Sequence, residues 1–235
     1  MNSTGKLRTA LCAAGAFCLL IAMLFSSLRI VLNDEGRHAR EYERLDVAAA
    51  MGMSDEDILR SLMKLVDYME GRTDDIRLTV EVFGESVVMF NERETLHMVD
   101  VRELYLAWKT ASYVLFALAA AAFACVALVE RKRSLHTLCA GYVWGFCALG
   151  GVGACIAAWA AADFSSFWTS FHLLFFSNDL WLLDPRTSRM INMFPQDFFS
   201  NIILQFALLF LIPALLLLLL AAAHMIIHKR RAAKE

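Results

Sequence analysis

The sequence predicts an all-α membrane protein, four transmembrane helices carrying a small α+β extracytoplasmic cap, and three observations lead there. Four apolar stretches, at 10–32, 110–129, 135–162 and 199–227, each approach or exceed the ~20 residues that a helix needs to cross ~30 Å of hydrocarbon. They account for a hydrophobic content of 59%, above that of an ordinary soluble domain. Basic residues flank the stretches on alternate sides: Lys6 and Arg8, then Arg131, Lys132 and Arg133, then Lys229, Arg230, Arg231 and Lys234. The positive-inside bias puts those clusters and both termini in the cytoplasm, which leaves 33–109 and 163–198 outside. Residues 34–104 hold 9 Lys and Arg against 18 Asp and Glu, so the chain's net charge of −2 conceals two faces of opposite character.

The first span, 1–33, opens with a basic start and an apolar core like a secretory signal. Its apolar run is too long for a signal core, and it reads as an uncleaved anchor. Arg29, near its outer end, is expected to snorkel toward the headgroups. The cap is assigned to 34–105. Within it, 33–72 reads as two amphipathic helices, with Ser54 and Asp57 as a capping signal and Ile58, Leu59, Leu62, Met63, Leu65 and Val66 as a helical apolar stripe. Residues 76–83 alternate like a strand, Gly84-Glu85-Ser86 reads as a turn, and 87–90 as a short returning strand. Asn91, with Glu94 three residues on, opens a helix that runs into the second span, 106–130.

Gly141 and Gly145 in the third span, 134–162, form a Gly-x-x-x-Gly pair that reads as close packing within the chain. A second outer loop, 163–198, is expected to hold a short helix over 165–176 and an irregular stretch around Asp184-Pro185. Pro195 suits the first turn of the fourth helix, 199–228, where Pro213 predicts a kink. A basic tail, 229–235, follows. All six cysteines fall within the spans, which leaves no disulfide framework and no Cys-x-x-Cys metal site.

The second outer loop is dense in chemistry for a mere connection. It contains His172 among Phe171, Phe175, Phe176, Trp181 and Phe194, with Asp184 and Arg186 nearby. Histidine is the side chain best suited to proton transfer near neutral pH. The cap holds a counterpart, His97, with Glu94 and Asp100 on the same helical face. Taken singly, His97 reads more readily as a solvated helix face, and His172 equally well as an interfacial anchor. The aromatics likewise suit either an acyl pocket or an interfacial belt. The case for a site is the pair, one histidine in each outer segment, near one membrane face. His38 lies in a charged helix, and His136, His224 and His228 sit beside basic clusters. The i, i+4 spacing of His224 and His228 reads as placement at a helix C-terminus.

His-Glu-x-x-His, Gly-x-Ser-x-Gly and Walker motifs are absent from the sequence. The outer segments also lack cysteine. Two histidines still suit a reaction whose nucleophile and electrophile both come from the substrate, such as an amine of pKa ~8. No cofactor and no metal is expected. Such a pair must reach one reacting centre, so imidazoles more than about 12 Å apart are incompatible with the idea.

The motifs Glu94-Thr-Leu-His97-Met-Val-Asp100-Val, Phe171-His172-Leu-Leu-Phe175-Phe176, Trp181-Leu-Leu-Asp184-Pro185 and Met193-Phe194-Pro195 resemble the lipoprotein intramolecular transacylase (Lit) family of small bacterial four-span membrane proteins. The resemblance implies an acyltransferase that moves the sn-2 acyl chain of a diacylglyceryl-cysteine N-terminus to the cysteine α-amine, giving a lyso-form lipoprotein. It implies His97 and His172 as the catalytic pair. Glu94, Asp100, Phe171, Phe175, Phe176, Trp181, Asp184, Arg186 and Phe194 then orient the histidines or bind substrate. The partners implied are diacylated lipoproteins and membrane lipid, with no nucleic acid, at the bacterial cytoplasmic membrane. One departure is Ser188, where family members often carry an acidic residue after Pro-x-Thr. The competing reading is a non-enzymatic membrane protein whose acidic cap binds a partner or senses a ligand. A transporter fits poorly, because few charges lie within the spans.

Overall fold

The computed structural model describes residues 3–131 and 134–232. Lys132, Arg133, Lys234 and the last part of the basic tail lie outside the described residues. The chain forms two compact units. One comprises residues up to Ser27, Thr110–Phe167 and those from Ala207 on; the other comprises Leu28–Lys109 and Trp168–Phe206.

Among the described residues, four helices are long and apolar enough to cross a membrane: α1 (Ser3–Leu32), α5 (Glu92–Glu130), α6 (Ser134–Ala162) and α9 (Gln196–Ala232). In the first unit the glycine pair of α6 meets α1 closely. A Cβ on Gly141 would lie 2.8 Å from the Cys12 carbonyl carbon, and one on Gly145 would lie 2.7 Å from the Ala13 oxygen. Backbone that near leaves no room for a side chain, so the motif serves packing within the chain. Tyr142 donates its hydroxyl hydrogen to the Ala214 carbonyl (2.9 Å). The adjacent Pro213 lies inside α9, which continues as a helix on both sides of it.

The second unit has its own core of Tyr42, Ile58, Leu62, Leu65, Val66, Ile76, Val80, Met89, Met98, Met193 and Phe198. Helix α2 (Glu35–Leu45) starts at Asp34, whose carboxylate accepts from the Arg37 amide. Where two amphipathic helices were expected there are three, because the chain breaks at Asp46 (φ 52°) and again at Gly52 (φ 66°) around α3 (Val47–Met51). The break lets Val47 and Ala48 enter the same core as Tyr42. Helix α4 (Asp55–Glu70) is capped by Ser54, which accepts from the Asp57 amide, and it carries three acids in its first turn. Strands β1 (Thr79–Val82) and β2 (Glu85–Val88) pair antiparallel with Val80 opposite Val87. Their turn is Phe83-Gly84, earlier than expected. Both residues have positive φ (51° and 83°), as a two-residue turn matched to the strand twist requires. Helix α7 (Phe164–Phe175) lies one residue from its expected position, and the short α8 (Arg189–Asn192) precedes α9, which begins directly after Pro195.

Arg29 does not snorkel freely; it pairs with Glu70 at 2.7 Å. The Glu70 carboxylate, almost wholly shielded, also accepts from Lys109 (2.6 Å), Tyr105 (2.5 Å) and Asn33 (3.0 Å). Burial by itself raises this carboxyl's pKa, but the four donors outweigh it and hold it at about 2. A depressed pKa of this kind stabilises the fold above the ordinary glutamate range. The contribution is lost as pH falls from about 4.5 toward 2.

Replacing Glu70 by Gln strands two cations beside a neutral amide. It is expected to lower stability by about 3–5 kcal/mol, read as a fall in Tm in detergent. Gly141→Leu should lower Tm as well, by driving α1 from α6; an unchanged Tm would contradict the close packing there.

Candidate active site

Helix α5 begins with a reciprocal cap: the Asn91 amide donates to Glu94 (2.6 Å) while the Glu94 amide donates to the Asn91 side chain (2.9 Å). Glu94 is fully buried, and its other oxygen accepts from the Ser188 hydroxyl (2.6 Å) and the Met190 amide (2.8 Å). It therefore clamps the 188–190 segment onto the start of α5. Ser188 caps α8 while donating to Glu94, which an ionised acid at that position would not do.

One turn further on, half-buried His97 meets the edge of Phe176 with ring centroids 5.6 Å apart. Its Nδ1 is buried and lacks a hydrogen-bond partner among the described residues. His172, in the last turn of α7, is 6% exposed, and its Nδ1 lies 2.7 Å from the Trp168 carbonyl four residues back. Trp181 stacks on it (4.6 Å, 26°), Trp168 packs at 4.5 Å, and Phe171 and Phe176 complete the surround. Phe176 touches both histidines, at 5.6 and 5.7 Å, which bounds the two imidazole centroids to within about 11 Å of each other.

Charge follows from burial. Removal from water lowers the pKa of His97 to about 4. The neighbouring His172 and Arg93 push the same way, while Asp100 pulls against them. His172 is lowered as well, by burial first, with the Trp168 carbonyl opposing. Asp100 shares a helical face with His97, and a neighbouring carboxylate raises an imidazole's basicity. Here burial outweighs Asp100, whose carboxylate is engaged by the Asn178 amide (2.8 Å).

The remaining candidates divide. Phe171 packs on Phe175 (4.9 Å), which meets Trp108 (5.7 Å) and stays partly exposed with Leu173 and Leu174. Asp184 pairs with Arg186 (2.6 Å) in the open, and that guanidinium holds the carboxyl below its usual range. Phe194 packs on Phe198 (5.8 Å) within the core, away from either imidazole's contacts. Sequence reasoning missed Trp168, whose contribution is partly a backbone carbonyl, and Asn178, whose Ser-Asn-Asp setting reads as an ordinary turn. In the first unit His136, His224 and His228 gather with ring centroids 4.5–6.3 Å apart. Among the described residues, no group of three or more His, Cys, Asp or Glu is arranged to hold a metal ion.

Both site histidines should titrate below pH 6.5, His97 the lower. NMR of histidine-labelled protein, assigned with His97→Ala and His172→Ala, measures this; a midpoint at or above 6.5 for either would contradict the shielding described.

A family model described as lipoprotein intramolecular transacylase Lit matches residues 13–199. Among solved structures, the membrane integral lipoprotein intramolecular transacylase Lit from Bacillus cereus superposes with a TM-score of 0.72 at 18% identity, over 97% of this chain and 99% of that one. Two variants of that protein, with a histidine changed to arginine or to alanine, give 0.71 at 19% identity, again over 97% of this chain. No curated protein sequence matches the chain.

Proposed function

Since the chain belongs to the lipoprotein intramolecular transacylase family, we propose that it moves the sn-2 acyl chain of a diacylglyceryl-cysteine lipoprotein onto the cysteine α-amine, by acid–base catalysis between His97 and His172. The observation that carries this reading is the single buried ring, Phe176, in contact with both imidazoles. Two neutral histidines so held are able to serve one reacting centre.

Their roles follow from where each ring's protons sit. The His172 Nδ1–H donates to the Trp168 carbonyl, which leaves the Nε2 lone pair as base. A proton on the buried His97 Nδ1 would be an orphaned donor, which proteins avoid more strictly than an orphaned acceptor. His97 therefore carries its proton on Nε2 and acts as the acid. In the reaction, the α-amine nitrogen attacks the sn-2 ester carbonyl carbon and its proton passes to His172 Nε2. The carbon–oxygen bond to the glyceryl sn-2 position then breaks, and His97 Nε2–H protonates the departing oxygen. The products are an N-acyl cysteine and a free sn-2 hydroxyl; transfer of one proton from His172 to His97 resets the pair. Phe171, Phe175 and Trp181 supply an apolar setting for acyl chains, with Leu173 and Leu174 open to lipid.

The basic residues Lys6, Arg8, Arg131, Lys229, Arg230 and Arg231 support a topology with both termini cytoplasmic and the segments 34–105 and 163–198 outside. That face is where a lipid-modified N-terminus is presented.

Mass spectrometry of N-terminal lipopeptides tests the reaction in cells making one diacylated lipoprotein, with the wild-type protein, without it, and with His97→Ala or His172→Ala. The expected result is a constant intact mass, with fragments showing one acyl chain on nitrogen only in the wild type. Either variant should lose at least about a hundredfold in rate. Acyl chains remaining on glycerol despite good expression would overturn the proposal.

A further inference from the structure

The segment joining α7 to Trp181 is tied to the helix that carries the other histidine. The Asn178 side-chain amide donates to Asp100 (2.8 Å), which lies on α5 one turn beyond His97. Its side-chain oxygen accepts from the Leu180 amide (3.1 Å), closing a tight Asx turn. Its backbone carbonyl accepts from the Trp181 indole N–H (3.0 Å). Trp181 in turn stacks on His172. Arg93, also on α5, pairs with neighbouring Asp179 at 3.3 Å and anchors the segment a second time.

We propose that Asn178 is a positioning residue for the acyl transfer: by bridging Asp100 to the Trp181 indole it holds Trp181 against His172 and so sets the orientation of that imidazole. The inference rests on the histidine reading given above and deepens it. Asp100 acts on the base, across the segment, and not as an orienting partner of the histidine on its own helix. The bridge also explains why one chain element serves both histidines. A shift of α5 is passed to His172 through Asn178 and Trp181, so the acid and the base move together. Among the described residues His172 has one polar anchor, at Nδ1, and a single hydrogen bond leaves the ring free to rock about it. Trp181 removes that freedom, which matters because a base must point its lone pair at the amine.

The bond itself is tested by reciprocal exchange. Asn178→Asp keeps the oxygen that accepts from Leu180 and replaces only the donor, setting a carboxylate against Asp100. The double variant Asp100→Asn/Asn178→Asp restores a donor–acceptor pair in reverse, with unchanged net charge. Turnover of a diacylated lipopeptide by purified protein gives kcat and KM, and NMR gives the His172 ring-proton shifts, which the stacked indole moves upfield. Asn178→Asp is expected to lower kcat roughly ten- to hundredfold with little change in KM, and to move the His172 signals downfield. The exchange should recover both. Wild-type kcat and His172 shifts in Asn178→Asp would overturn the proposal, as would an exchange that keeps its Tm and stays as impaired as the single variant. Should Asn178→Asp not fold, Asn178→Ala must show the same downfield movement. If the wild type shows no acyl transfer, the histidine reading falls, while the shifts still decide whether Asn178 holds the stack.

Discussion

The second unit is organised by one buried carboxylate. Glu70 ends α4 and accepts from groups on the last turn of α1 (Arg29), just beyond it (Asn33), and two positions of α5 (Tyr105 and Lys109). A charge taken from water at that cost is tolerated only with its donors in place, so the three helices are fixed in rotation as well as in distance. The phase of α5 matters most. Tyr105 and Lys109 set which way that helix faces, and hence where His97 and Asp100 stand about one to three turns earlier on the same rod. At the other end of this stretch the Asn91–Glu94 cap and the Ser188 hydroxyl fix its start. His97 is held on a stretch of helix pinned at both ends.

Around the pair the protein uses rings in place of carboxylates. An imidazole placed beside an aspartate gains basicity and charge; one surrounded by Trp168, Phe171, Phe176 and Trp181 stays neutral and immobile. Neutrality suits the chemistry proposed. The amine must lose a proton and the glyceryl oxygen gain one, so two neutral rings of opposite tautomer carry the full proton inventory. The same apolar walls that depress the histidines are compatible with acyl chains, which ties the electrostatics of the site to its choice of substrate.

Much of this was legible in the sequence, for identifiable reasons. Span positions follow from hydropathy, which is a composition property. Ser54 and the Asn91–Glu94 pair follow from local capping rules, and the structure bears out both. Gly141 and Gly145 read correctly as close packing within the chain. Other features depend on partners remote in sequence. Arg29 looked like a lone cation because Glu70 lies 41 residues away. The bond from Ser188 to Glu94 was hidden because the two lie 94 residues apart. The break at Asp46 was hidden, since a left-handed aspartate leaves no composition signal. Trp168 acts partly through its carbonyl, which every residue has.

His172 stands in the final turn of α7, three residues before it ends, and its Nδ1 is satisfied by the Trp168 carbonyl one turn back. Helix termini fray. When this turn opens, the Trp168 carbonyl no longer dictates which nitrogen bears the hydrogen, and the ring becomes a mixture of two tautomers, only one of which fits the base role proposed for it. The integrity of a single helical turn and the address of a single proton are thus one variable. The amide of Phe176, which donates to the His172 carbonyl at 2.7 Å, is the latch that holds this turn closed.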